Sequence, residues 1–156
     1  MKRLTKTLVF ILPLIPVLVY WKFLLSVAVN IPAWDDYDSI IRALNIWQDA
    51  TLPEKFLFLF GQHNEHRIFI IRLSALLQYL LLGTVDFKQL IIIGNLFLTV
   101  TYFLIWSYLN KSQPRLDASL ITAGIGLIVF QPQYGDGMIW ASTALCSFPV
   151  ITFGFL

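Results

Sequence analysis

Ile68-Phe69-Ile70-Ile71-Arg72-Leu73-Ser74-Ala75-Leu76-Leu77-Gln78-Tyr79-Leu80-Leu81-Leu82 is the stretch on which the topology of this chain turns. It is greasy enough to enter a bilayer, yet Arg72, Ser74 and Gln78 interrupt it. As a helix, residues 68–82 reach about 22 Å, short of a hydrocarbon core about 30 Å thick. Extending the run through Phe87 would rescue a tilted span. The charges beyond it separate the two readings. Residues 89–109 form a sound, uncharged span of 21 residues, followed by Lys111 and Arg115 with only Asp117 against them. If 68–82 crosses the membrane, that basic turn lies outside. If 68–82 lies along the surface or dips in, the turn returns to the cytoplasm, as the positive-inside bias prefers. Residues 68–82 are therefore expected to form a juxtamembrane helix.

Composition supports a bilayer setting. The chain has 156 residues, 58% of them hydrophobic and 13% charged, where soluble domains run near ~45–50% and ~25%. Mean hydropathy is +0.74. The net charge of +2 says little, but seven of the nine acidic residues fall within 33–88. No basic run with interleaved aromatics occurs, so nucleic acid is not indicated as a partner. The single cysteine, Cys146, excludes an intramolecular disulfide and reads as a small apolar residue. There is no internal repeat.

Toward the N-terminus, Lys2, Arg3 and Lys6 form a basic flank without acids. Residues 8–29 then make a first span carrying one charge, Lys22. Pro13 and Pro16 should kink it, which bilayer helices tolerate when neighbours satisfy the freed backbone groups. A cleaved signal peptide is the rival reading, with Ser26-Val27-Ala28 as the cleavage site. Lys22 either snorkels outward or holds a lipid phosphate.

Residues 30–88 form one large extracytoplasmic loop on this reading. Tyr37, Ile40, Ile41, Leu44 and Trp47 recur at helical spacing, while Asp38, Ser39, Arg42, Asn45, Gln48 and Asp49 take the other faces. That pattern predicts an interfacial helix over 37–50. Thr51-Leu52-Pro53-Glu54 is a capping box opening a short helix that should run to Phe60 and stop at Gly61.

Beyond the second span, residues 118–131 are a third apolar run, with Gly124-Ile125-Gly126 suited to close helix approach. Gln131-Pro132-Gln133-Tyr134-Gly135-Asp136-Gly137 has strong turn chemistry. Residues 138–156 begin a fourth apolar run. The expected fold is an all-α membrane protein, N-terminus inside, with three to four transmembrane helices and juxtamembrane surface helices. Because the last run simply stops, the chain is expected to be the front of a longer protein.

The polar residues concentrate at two points, Asp35-Asp36 and Gln62-His63-Asn64-Glu65-His66-Arg67. The bland account of the acidic pair is a solvated couple near a helix N-terminus. For the second cluster it is a wet loop, with His63 or Asn64 capping the next helix. His63 and His66 could share a divalent metal, but the spacing is not that of zinc hydrolases and no third ligand is evident, so no metal or other cofactor is expected.

Taken together, an N-in span, Trp34-Asp35-Asp36, an amphipathic helix, the His-containing cluster and a second surface helix resemble the opening module of the GT-C superfamily. These are polytopic glycosyltransferases that use polyprenyl-phosphate sugars. Gln62-His63-Asn64-Glu65-His66-Arg67-Ile68 looks like a signature of uncharacterised bacterial members, in place of the His-Pro-Pro-Leu of arabinose- and mannose-transferring ones. The resemblance covers the whole chain but only the first third of a typical member. It implies a bacterial inner-membrane location and membrane lipids and a polyprenyl-phosphate sugar as partners. It also implies Asp35 as catalytic base with Asp36 orienting or binding. His63, Glu65, His66, Arg67 and Asp136 are then candidates for substrate or phosphate binding. The competing class is a non-enzymatic accessory protein that binds a lipid headgroup or another protein with the same loop.

Overall fold

The computed structural model describes residues 2–63 and 66–156, the side chains of 2–8, 63, 66, 67, 134 and 136 excepted. Helix α1, Lys2–Val27, contains Pro13 and Pro16. A proline at 13 has no N–H for the carbonyl of residue 9. The Ser119 hydroxyl supplies the missing donor, giving a hydrogen bond to Val9 O of 2.8 Å. The carbonyl freed by the proline is thus satisfied from a neighbouring helix. Tyr102 adds a second tie, its hydroxyl donating to Pro13 O at 2.8 Å and Thr122 O at 3.1 Å.

Ser119 and Thr122 lie on α6, Arg115–Val129, and Tyr102 on α5, Phe87–Ser112. Val9 meets Ser119, Pro16 meets Gly126, and Tyr20 meets Phe130, so α1 and α6 run parallel. A Cβ on Gly126 would fall 2.9 Å from Pro16 and from the Tyr102 hydroxyl, whereas Gly124 has open space around it. Of the expected glycine pair, one position carries the close approach. Helix α5 runs antiparallel to α1: the Tyr20 hydroxyl donates to Asn95 Oδ1, and Trp21 Nε1 donates to Thr99 Oγ1 at 3.0 Å. Helix α8, Ala141–Gly154, lies parallel to α5, with Gly94 against Ala144 and Thr101 hydrogen-bonded to Thr152. The core of this bundle centres on Tyr20, Leu24, Leu90, Ile91, Tyr102 and Leu145.

Among the described residues, two helices are long and apolar enough to cross a membrane, α1 over Val9–Val27 and α5 over Phe87–Ser112. Apart from one two-residue strand pair, the described residues with regular structure are helical. The segment between these helices leaves and rejoins the bundle at one end. Asn30 Oδ1 accepts from Phe87 N at 2.8 Å, and Lys88 Nζ reaches Leu25 O at 3.5 Å. The start of α1 and the α5–α6 turn, with Lys111 and Arg115, lie at the other end.

Within that segment the helix expected over 37–50 is in two parts. A wide π-type turn, Tyr37–Ile41, precedes α2, Arg42–Asp49. The wider ring shifts the phase of the stripe. Tyr37 is consequently exposed and Ser39 buried, the reverse of the simple helical pattern, while Ile40 and Ala43 point inward. Helix α3, Leu52–Phe60, opens on the expected box: Glu54 Oε2 accepts from Thr51 N at 2.8 Å and Thr51 Oγ1 at 2.7 Å. A two-residue antiparallel ladder then pairs β1, Gln62–His63, with β2, His66–Arg67. Helix α4, Phe69–Leu82, starts from Ile68 without a side-chain cap and ends on Gly83 at φ +72°. After α6 the chain passes through a tight turn, Pro132–Tyr134, and a single helical turn α7, Asp136–Ile139, before α8.

Candidate functional site

The acidic pair sits in a turn between α1 and the π-type turn, and its two members have different surroundings. Asp36 is 1% exposed. Its Oδ2 accepts from Ala33 N at 3.0 Å, closing the turn on itself. Its Oδ1 accepts from Ser142 N at 2.8 Å, across 106 residues of sequence. Ser142 is the second residue of α8, so Asp36 serves one of that helix's free N-terminal amides. A carboxylate there also faces the positive end of the helix dipole. Asp36 is in effect a helix cap delivered from another part of the chain.

Asp35 has different surroundings. It is exposed, and among the described residues its carboxylate has no hydrogen-bond or ion-pair partner. Its backbone is held firmly: Asp35 O accepts from Ser39 N at 2.8 Å and Ser39 Oγ at 2.7 Å. Trp34 precedes it at φ +44°. The Trp34 ring stacks on Trp140, centroids 5.8 Å apart at 27°. The turn thus docks on the start of α8 through one hydrogen bond and one ring stack.

The second site element is the base of the hairpin. Arg72 is 8% exposed, and its Nη1 donates to Phe58 O and, at 2.9 Å, to Gly61 O. The guanidinium lies 4.2 Å above the Phe58 ring. These carbonyls belong to the C-terminal end of α3, where helix carbonyls lack intrahelical donors. Burial lowers the guanidinium pKa from its ordinary value, though arginine keeps its charge in proteins. In the sequence Arg72 counted only as an interruption of an apolar run; here it ties α4 to α3. Phe60 stacks on Phe69 at 4.8 Å and closes the hairpin beneath its strands.

In the ladder His63 pairs with His66 and Gln62 with Arg67. The expected substrate-binding side chains of His63, His66, Arg67 and Asp136, and all of Asn64 and Glu65, lie outside the described residues. The N-cap of α4 is Ile68, a position His63 does not take, and Asn64 lies outside the described residues. Among the described residues no hydrogen bond or ion pair joins Asp35 or Asp36 to the hairpin, and no three metal-ligating side chains come together. An apolar cavity of about 310 Å³ lies elsewhere, between α5, α6 and α8, lined by Leu98, Tyr102, Val129 and Phe148.

Trp34, Trp140, Ser142 and Arg72 are the residues that sequence reasoning did not assign to the site. The one local signal was that Trp34 directly precedes the acidic pair. Compared with known protein families, curated proteins and solved structures, the chain matches none.

Proposed function

We propose that this chain forms the acidic end of a bacterial inner-membrane glycosyltransferase that moves a sugar from a polyprenyl phosphate to an extracytoplasmic acceptor. The observation that supports it best is the division of labour in the acidic pair. Asp36 commits both oxygens to backbone amides. Asp35, one residue away, keeps its carboxylate free and exposed on a tightly held turn. An ionised carboxylate so placed is suited to general-base work at neutral pH.

The chemistry balances with one base. Asp35 takes the proton of an acceptor hydroxyl as its oxygen attacks C1 of the sugar. The bond from C1 to the phosphate oxygen breaks, and its electron pair leaves with the polyprenyl phosphate. Cations facing that phosphate stabilise the departing charge. Arg67, with its bidentate fork, and His63 and His66 as donors are assigned that role. Glu65 and Asp136 are assigned to substrate hydroxyls. The basic residues at the far end, Lys111 and Arg115, favour a cytoplasmic position for that end and an external one for Asp35. On this reading α1, α5, α6 and α8 cross or enter the bilayer, and α2, α3 and α4 lie at its outer surface.

The test is a side-by-side comparison of Asp35→Asn and Asp36→Asn in the membrane-embedded protein. Asp35→Asn should cut sugar transfer by ~10²–10⁴ with no change in unfolding temperature, because Asn cannot take the proton. Asp36→Asn should lower the unfolding temperature and reduce transfer less. Near-wild-type transfer by Asp35→Asn would remove it as the base. If neither variant alters any envelope glycan, the non-enzymatic accessory reading takes over.

A further inference from the structure

Trp34 is 76% exposed, and its φ of +44° is a strained conformation for a bulky residue. One face of its indole is covered by Trp140; the high exposure leaves the other open. Asp36 fixes the arrangement from both sides, through the amides of Ala33, just before Trp34, and Ser142, just after Ala141. The result is a strained aromatic, braced on two flanks, immediately before the exposed Asp35. Anchoring at a membrane interface asks only for an amphipathic ring at headgroup level and calls for no backbone strain. Strain held in place by surrounding contacts gathers at functional positions.

We propose that the Trp34–Trp140 pair is a shelf for the sugar ring of the acceptor, so that the acceptor is itself a glycan. This rests on the transferase reading above and names the substrate class of its second site. A pyranose has a face of C–H groups whose weakly positive hydrogens suit the negative face of an indole. A ring stacked there carries its hydroxyls at its rim, one residue from exposed Asp35, to which the acceptor proton has to go. A protein side chain or a diacylglycerol offers no such face.

The experiment is saturation-transfer NMR on the protein in nanodiscs, with methyl α- and β-glucosides, galactosides and mannosides as probes. Wild type should pass saturation to the ring C–H protons of at least one glycoside, and Trp34→Phe should keep that signal. Trp34→Gly should lose it while staying folded near the wild-type unfolding temperature, because relief of the positive-φ strain offsets the lost ring stack. In transfer assays Trp34→Gly should raise the acceptor KM roughly tenfold and leave kcat nearly unchanged, the size expected of one aromatic stack. Glycoside binding unaffected by Trp34→Gly, or no binding of any probe to wild type, overturns the shelf. The two readings fail separately. Binding that needs Trp34 in a protein indifferent to Asp35→Asn removes the transferase and keeps the shelf. Transfer that needs Asp35 with an unchanged acceptor KM in Trp34→Gly does the opposite.

Discussion

The helical bundle and the segment 30–86 use polar residues in opposite ways. In the bundle, most buried hydroxyls and amides spend their hydrogen bonds on each other or on backbone, with Ser142 Oγ and Trp106 Nε1 left unpartnered among the described residues. Asn95, fully buried, donates to Ile91 O and Met138 O at 2.8 Å each and accepts from Tyr20. Ser119 and Thr152 serve carbonyls of neighbouring helices. Such groups are costly to leave unpaired away from water, so pairing is their whole function. In the outer segment a few polar residues brace the structure, and others are left open. Asp36 and Arg72 are braces, Asp36 for the turn that presents Asp35 and Trp34 and Arg72 for the joint of α3 and α4. A polar residue in an apolar chain is therefore not evidence of a site until its partners have been counted.

The comparison breaks most visibly at Asp36. Asp36→Ala leaves the Ser142 and Ala33 amides without their acceptor and removes an anion from the N-terminus of α8. An unsatisfied buried donor costs about 1–3 kcal/mol and a helix-end charge about 0.3–1. Asp36→Ala should therefore lose about 2–4 kcal/mol on denaturant unfolding, against no loss for the exposed Asp35→Ala. Equal stability of the two variants would mean the acidic pair is not divided as described.

Inside the bundle, the glycines of α6 sharpen the contrast between packed and open positions. Gly126→Ala places a methyl 2.9 Å from Pro16 and the Tyr102 hydroxyl, while Gly124→Ala meets nothing within 4 Å. Overpacking of a tight contact costs about 1–3 kcal/mol, while alanine in place of glycine gains about 1 in a helix. Gly126→Ala should thus be neutral to about 2 kcal/mol destabilising, and Gly124→Ala should be neutral or stabilising. Thermal unfolding in one detergent ranks the two; a reversed order would mean that α1 and α6 do not meet at Pro16.

These cases also show what could be read from sequence. Local devices were legible, because their partners lie within a turn. The Thr51–Glu54 box and the stop at Gly61 occur where the residues call for them. The need to repair the Pro13 kink was legible too, but the residue that repairs it, Ser119, lies 110 positions away. The phase of the 37–50 stripe was misread because one wide turn rotates the residues before Arg42 relative to α2. The acidic pair was legible as a pair. Its division was not, since it depends on the amide of Ser142, and no residue type marks a backbone N–H as a partner.

The smallest expected effect belongs to the outer segment's own local brace, Glu54. It is exposed, and hydrogen bonds from the Thr51 side chain and backbone lower its carboxyl pKa below the ordinary 4.5. A carboxyl with a depressed folded-state pKa stabilises its helix above the unfolded value and loses that contribution as pH falls through the folded one. The first turn of α3 should therefore hold its amide-exchange protection at pH 5 and above and lose part of it on acidification below about 4.5, in step with Glu54 protonation. Bundle amides in α5, whose packing does not involve this box, should show no matching step. Other carboxyls titrate over the same range, so the control is Glu54→Gln, which keeps an acceptor oxygen and has no proton to gain. Protection over 52–60 in that variant should lie slightly below wild type at neutral pH and stay level as pH falls. An acid-dependent loss of the same size in Glu54→Gln would assign the effect to another carboxyl and leave the capping box without a measurable share in holding α3.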